Sequence, residues 1–284
     1  MRWISDNDIL IVGLGLMGGS YAKRLRSLGY HVEAIDTRPE AITYAVEHGI
    51  IDCGYTEPTE DAIRRAGVLI FAVYPHVFTE WIRKWGHLIR WGAMVTDVTG
   101  VKSGIVEEVQ QLLPAGVEFI ASHPMAGREV YGVENADDRI FRDANYIVVP
   151  TDKNTPEGIE WSKELGRLLG FARISVLSPE EHDRMIGFVS QLTHVIAVAL
   201  MTCSDSTHLV DYTGDSFRDL TRIARINDAM WSELFLMNKA PLLEQMDTFI
   251  DEMHTLRGML EAEDKEGLRE KMRLSTARRA LFNK

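Results

Sequence analysis

The feature that most constrains the fold lies within the first twenty residues. The aliphatic run Ile9-Leu10-Ile11-Val12 passes directly into Gly13-Leu14-Gly15-Leu16-Met17-Gly18, a G-x-G-x-x-G that leaves a strand and opens a helix. Each glycine answers a different demand: Gly13 a tight turn, Gly15 the close approach of a pyrophosphate, Gly18 the packing of helix against strand. The first N–H groups of that helix, at Leu16 and Met17, and its dipole offer a seat for an anion. The next apolar run, His31–Ile35, ends at Asp36, 18 residues after Gly18, where a carboxylate can accept from an adenosine ribose. Strand, glycines, helix and acid in this order predict a dinucleotide-binding unit. Asp36 favours NAD, because it repels a 2′-phosphate. Arg38 leaves NADP open, unless it is simply a solvated charge before Pro39.

The pattern continues to about residue 150. Strand candidates at Ile9–Val12, His31–Ile35, Val68–Val73, Ala93–Thr96, Val117–Ala121 and Tyr146–Val149 alternate with helical stretches at Gly18–Leu28, Pro39–Glu47, Val77–Ile89 and Lys102–Leu113. This alternation predicts an α/β, Rossmann-like, doubly wound parallel sheet. Beyond it the chain turns helical. Thr155–Leu169 and a short strand at Arg173–Val176 precede Ser178-Pro179-Glu180-Glu181, a capping box with proline at the first helical position. Helical stretches follow to about residue 203 and at about 216–226, 229–260 and 264–282. The reading is therefore two domains, 1–150 for the nucleotide and 151–284 for an all-α substrate and dimerisation part. Long helices with one apolar face suggest a homodimer through this second half.

Composition narrows the function. With 31 basic against 42 acidic residues, the net charge of −11 suits neither phosphate-backbone neutralisation nor nucleic-acid binding. The longest apolar run, Val195–Met201, is far below the ~20 residues of a membrane span, and the N-terminal run is too short for a signal sequence. Cys53 and Cys203 have no C-x-x-C spacing, and the histidines form no H-x-x-x-H or H-x-H pair, so neither a disulfide framework nor a metal site is expected. A cytoplasmic enzyme acting on a small molecule, without membrane or nucleic-acid partners, fits these counts.

Candidate site residues gather at the ends of strands, where ligands bind in open α/β sheets. Val73 ends one run, and Asp97-Val98-Thr99-Gly100-Val101-Lys102 follows another. The run Val117–Ala121 leads into Ser122-His123-Pro124-Met125-Ala126-Gly127-Arg128-Glu129. A histidine there is placed to take a hydroxyl proton while hydride leaves the same carbon. Gly187, Ser190, Gln191 and His194 form a polar stripe on an otherwise apolar helix, facing either water or a pocket. Arg218, Arg222 and Arg225 sit on neighbouring turns, with Asp219 three residues before Arg222, as a carboxylate fork or as a surface ion pair.

Taken together, GLGLMGGS at 13–20, SHPMAGRE at 122–129, SPEEHD at 178–183, SQLTH at 190–194 and FRDLTRIA at 217–224 resemble the prephenate/arogenate dehydrogenases, the TyrA family of tyrosine biosynthesis. The resemblance implies oxidative decarboxylation of prephenate with NAD+, or alternatively of arogenate, with NADP also open. It implies that His123 accepts the ring-hydroxyl proton, that His194 helps bind substrate and that Ser190 lies at the cofactor–substrate face. By the same resemblance Arg222 holds a carboxylate and Glu129 shapes the pocket. Arg128 beside the loop favours prephenate, whose side chain has no ammonium, although Glu129 could greet that of arogenate.

The chain departs from the family at Gly100, where many relatives carry a serine that bonds the substrate hydroxyl. Thr99, a water, or the histidine alone must then serve. Thr193 also stands where many relatives have proline, and the glycine run before FRDLTRIA reads Gly214-Asp215-Ser216. A chain ending near residue 284 is expected to lack fused mutase or regulatory domains. Two other readings remain: a β-hydroxyacid or imine-type dehydrogenase, and an NAD-binding regulator without turnover.

Overall fold

The computed structural model describes residues 8–128 and 130–282. Six short strands, β1 (Ile9–Val12), β2 (Val32–Ile35), β3 (Cys53–Tyr55), β4 (Val68–Phe71), β5 (Met94–Asp97) and β6 (Glu118–Phe119), pair in parallel in the order β3-β2-β1-β4-β5-β6. This is the doubly wound order with its switch point between β1 and β4. Strands covered on both faces must be apolar throughout, and β1, β2 and β4 are buried at every position. Helices α1 (Leu16–Ser27) and α2 (Pro39–Glu47) cover one face, while α3 (Glu60–Arg65), α4 (Pro75–Trp85) and α5 (Ile105–Leu112) cover the other. The edge strand β3 escapes the sequence pattern because it has only three half-buried residues, one of them glycine.

The expected strand Val117–Ala121 divides. Its first part is β6, and at Ile120 the chain leaves the parallel sheet to start β7 (Ala121–Met125), which runs antiparallel to β8 (Asn145–Val149) with His123 opposite Ile147. His123 therefore stands inside a second, three-stranded sheet instead of at the tip of the first. The third strand, β9 (Arg173–Val176), pairs in parallel with β8. Helix α6 (Pro156–Leu169) starts at Thr155, whose hydroxyl accepts from Gly158 N–H, and buries Trp161, Leu165 and Leu169 in the core that holds Ile9 and Leu25. Residues 151–176 thus pack with the first half, because the last strand of its second sheet lies among them.

The second half opens with α7 (Pro179–Ile186), capped by the Ser178–Glu181 box. A π-helical segment, Gly187–Leu192, joins it without a break to α8 (Thr193–Thr202). Such a bulge re-aims side chains within one helix and is common at functional sites. After α9 (Leu209–Tyr212) and α10 (Asp215–Thr221), the stretch expected as one helix is two, α11 (Asp228–Met237) and α12 (Lys239–Glu261), followed by α13 (Lys265–Ala280). The break falls at Asn238. Pro241 has no N–H to continue α11, and the Asn238 amide instead donates to Asp183 O at 2.8 Å and Gln191 Oε1 at 2.7 Å.

Leu165 is fully buried against the first core. Leu165→Ala is therefore expected to lower unfolding free energy by about 2–5 kcal/mol, read from the denaturant midpoint. An unchanged midpoint would mean that α6 is not part of that core.

Candidate active site

The glycine turn takes the shape its chemistry requires. Gly13 has φ +98°, and a Cβ there would lie 2.5 Å from Ala72 O; one at Gly18 would lie 1.9 Å from Gly13 O. A Cβ at Gly15 would meet no protein atom within 4 Å. Gly13 and Gly18 are thus dictated by packing, whereas Gly15 answers to no protein neighbour, as expected of the position a pyrophosphate approaches. No side chain caps the start of α1. Asp36 follows β2, and its carboxylate accepts from Leu14 N–H at 2.7 Å and from the Arg38 backbone N–H at 3.0 Å. The Arg38 guanidinium folds back onto that carboxylate at 3.2 Å and donates to Leu14 O at 3.1 Å. These residues fit a dinucleotide whose adenosine ribose meets Asp36. Arg38 is tied to the acid.

A cleft of about 720 Å³ runs from this turn into the helical half. Gly15, Leu16 and Met17 line one end; Val73, Val98, Thr99, Gly100 and His123 line its middle; Ser190, Gln191 and His194 of the polar stripe, with Trp231, close the other side. Two cations, Arg128 and Arg225, also line it. The wall is tied across the domains by Glu233, which accepts from the His76 N–H at 2.9 Å and pairs with its imidazole at 2.7 Å, and by Asn227, which donates to Tyr74 Oη at 3.0 Å. His194 stacks on Trp231 with ring centres 3.6 Å apart, and its Nδ1 bonds to Ser190 O at 2.9 Å.

Beneath the cleft lies a buried polar cluster that sequence reasoning placed only in part. The Lys102 ammonium, fully buried, donates to Asp97 Oδ2 at 2.6 Å, to Ser122 O at 2.7 Å and to Thr99 Oγ1 at 3.1 Å, so all three of its protons have acceptors. Asp97 also accepts from Ser122 N–H at 3.1 Å and Thr99 N–H at 3.0 Å. Two expectations change here. Asp97, expected at the cofactor, is buried as the counter-ion of Lys102 and does not line the cleft. Thr99 lines the cleft, but its hydroxyl is turned inward to Asp97 and Val101 O and is not presented to a ligand.

His123 bonds through Nδ1 to His182 Nε2 at 2.9 Å, and His182 bonds through Nδ1 to Asp183 Oδ1 at 2.7 Å. Asp183 further accepts from the backbone N–H groups of Lys102 at 2.9 Å and Ser103 at 2.7 Å. Burial holds His123 well below the usual imidazole range, and the neighbouring His182 and Lys102 push it the same way. Burial also lowers His182, against the opposing pull of Asp183. Burial raises Asp183, but its bonds to His182 and Ser103 outweigh this and leave it below the usual carboxylate range. His182 and Asp183 belong to the SPEEHD segment, yet no sequence spacing reveals that they meet a histidine 59 residues away.

Among the remaining expected residues, Asp219 on α10 and Arg222 in the 3-10 turn after it are exposed and are not among the described residues lining the cleft of one chain. Arg225, three residues on, takes that place. Glu129 lies outside the described residues.

A dinucleotide turn and a buried-histidine centre facing one interdomain cleft define a nicotinamide-dependent oxidoreductase of the two-domain kind. Sequence models of the prephenate dehydrogenase nucleotide-binding domain and dimerization domain match residues 21–174 and 178–274. The prephenate dehydrogenase of Bacillus subtilis is 31% identical over 273 residues, covering 92% of this chain and 72% of that protein. The cyclohexadienyl dehydrogenase of Zymomonas mobilis is 27% identical, covering 90% and 89%. The crystal structure of prephenate dehydrogenase from A. aeolicus in complex with hydroxyphenyl propionate and NAD+ superposes with a TM-score of 0.90 at 32% identity, covering 98% of this chain and 99% of that one. The chain belongs to the prephenate dehydrogenase family.

Both imidazoles are neutral when folded but titrate near 6.5 when exposed, so the unfolded chain binds more protons below that pH and stability falls as pH is lowered through that window. NMR titration is expected to place His123 and His182 below 6.5. A value for His123 at or above 6.5 would contradict the burial described.

Proposed function

We propose that this chain oxidises prephenate with NAD+ to 4-hydroxyphenylpyruvate and CO2, a step of tyrosine biosynthesis. The observation that carries the reading is the opening of the Gly15–Met17 turn and of His123 onto one cleft. Gly13, Gly15, Gly18, the Leu16–Met17 helix start, Asp36 and Val73 are the residues we assign to NAD+, which supplies the hydride acceptor. Asp36 stands where a 2′-phosphate would be repelled, and Arg38 neutralises it from the side. His123 is the general base for the ring hydroxyl of the substrate. With Nδ1 engaged by His182, Nε2 is the nitrogen left for the cleft.

Atom balance sharpens the role. As hydride leaves the carbinol carbon, the hydroxyl proton passes to His123 Nε2. When the ring carboxylate departs as CO2, its bonding pair enters the ring and the oxygen becomes phenolate. The product is a phenol and no net proton is released, so His123 returns the proton it took. At Gly100 a Cβ would sit 4.0 Å from His123 Cε1, with Leu234 in ordinary contact at 3.4 Å, so packing does not require glycine beside the histidine.

Prephenate carries two carboxylates, and arginine matches their bidentate geometry. Arg128 and Arg225 line the cleft, and Arg222, the arginine of the FRDLTRIA segment, lies one turn before Arg225. His194, clamped by Trp231, and Ser190 complete the substrate wall. We further assign the exposed apolar surface of the second half to a second copy of the chain. The helical stretch Pro179–Thr202 is by length and composition apolar enough to cross a membrane. It nonetheless carries cleft residues on one side, and its exposed Phe188 and Val189 join Leu236, Leu243, Ile250 and Met253 as apolar surface of the dimerization domain. Cys53 and Cys203 are unpaired, which accords with a cytoplasmic home.

Adding prephenate and NAD+ to the purified protein is expected to produce NADH, and His123→Asn to lower kcat at least ~100-fold with NAD+ affinity kept within about threefold. Near-normal turnover would remove His123 from the chemistry. Arg225→Gln is expected to raise KM for prephenate about tenfold, equal to ~1.4 kcal/mol, with little change in kcat. If only Arg222→Gln raises it, the carboxylate is held one turn earlier.

A further inference from the structure

The buried chain His123–His182–Asp183 fixes more than position, because with both imidazoles neutral and Asp183 ionised only one arrangement of its protons satisfies every bond. The Asp183 carboxylate already accepts two backbone N–H groups, and as an anion it can only accept, so the proton in the 2.7 Å contact sits on His182 Nδ1. Neutral His182 then has a lone pair on Nε2. The 2.9 Å contact to His123 therefore requires a proton on His123 Nδ1, and His123 Nε2 is left bare.

We propose that His182 is a positioning residue for the family's reaction: anchored by Asp183, it holds His123 in the Nδ1–H tautomer and so aims a basic Nε2 at the substrate hydroxyl. The inference rests on the reading of His123 as the base. It crosses the domain division, since His123 lies on β7 and its orienting partners on α7. When His123 gains the substrate proton, its Nδ1–H bond to His182 strengthens and Asp183 supplies the counter-charge one ring away, while the proton itself stays on His123 until the phenolate takes it back. Of the titratable groups around His123, His182 and Lys102 act on it directly; Asp183 is bound to His182 and Asp97 to Lys102, and Arg128, Arg225, Asp143 and His194 line the same cleft.

Two variants and one spectroscopic readout test it. His182→Leu removes the acceptor and is expected to lower kcat about 10–100-fold, with KM for prephenate and NAD+ affinity within about threefold. His182→Gln keeps an acceptor oxygen and is expected to retain several-fold more activity than the leucine variant. In the unaltered protein, 15N NMR of the imidazoles at neutral pH is expected to show His123 protonated on Nδ1 and bare on Nε2. An Nε2–H tautomer, a leucine variant within twofold of the parent, or no advantage of glutamine over leucine would overturn the proposal. The NMR readout decides the matter even if the leucine variant does not fold. It is also independent of turnover, so a wrong tautomer and an absent prephenate activity are separate results.

Discussion

Much of this molecule hangs on the carboxylate of Asp183. It is closed off from solvent and accepts two backbone N–H groups from the segment that follows β5, while also gripping His182. One side chain thus ties the first helix of the helical half to the floor of the nucleotide half and fixes the His182 ring that bonds His123. A buried anion is costly unless fully bonded. Here the donors come from both domains, so the cost is met only when the two halves stand in their catalytic relation. Asn238 reinforces the tie from behind by donating to the Asp183 carbonyl, which is one reason α11 and α12 are two helices.

The same economy of charge holds beneath the cleft. Lys102 and Asp97 neutralise each other in a fully buried pair and give the site no net field, yet they hold the loops that carry Thr99 and Ser122. In a chain of net charge −11, Arg128 and Arg225 bring positive charge to the cleft, where Asp143 is a lining carboxylate. Burial of Lys102 lowers its proton affinity while Asp97 opposes the shift. Burial is also what chiefly lowers the two nearby imidazoles.

The parts of the fold carried by short-range pattern were legible. The glycine turn, the apolar strands β1 and β4, and the capping box at Ser178 each have a local physical cause and appear where that cause puts them. What sequence could not show was decided by pairing at a distance. Val117–Ala121 reads as one strand because its apolar run is continuous, but the bonding of Ser122 to Asp97 pulls the chain into a second sheet at Ile120. Asp97 and Thr99 have the residue types of ligand-binding groups at a strand end, and only the buried Lys102 shows that they face inward. His182 sits in a quoted motif with no outward sign of its partner. Arg222 and Arg225 are indistinguishable by type, and the turn after α10 decides which one lines the cleft. The polar stripe of Ser190, Gln191 and His194 lines the cleft as a unit, but the Gln191 amide is also engaged, donating to Leu234 O and accepting from Asn238.

Held below the ordinary imidazole range by burial, His123 looks ill suited to the role of base proposed for it. The balance of the reaction resolves this. The proton is required only while hydride departs, and the oxygen that gave it up becomes the oxygen of a phenol, whose affinity for a proton, near pKa 10, far exceeds that of any imidazole. A weak base makes a strong conjugate acid, so the burial that makes His123 reluctant to take the proton makes it quick to return it. In the proposed tautomer, the forward transfer is helped by the Nδ1–H bond to His182 and by Asp183 behind it, groups already in place before substrate arrives and therefore free of reorganisation cost. Aromatisation then draws the pair of steps to completion, and a ring that ends the cycle neutral is ready, in the same tautomer, for the next substrate.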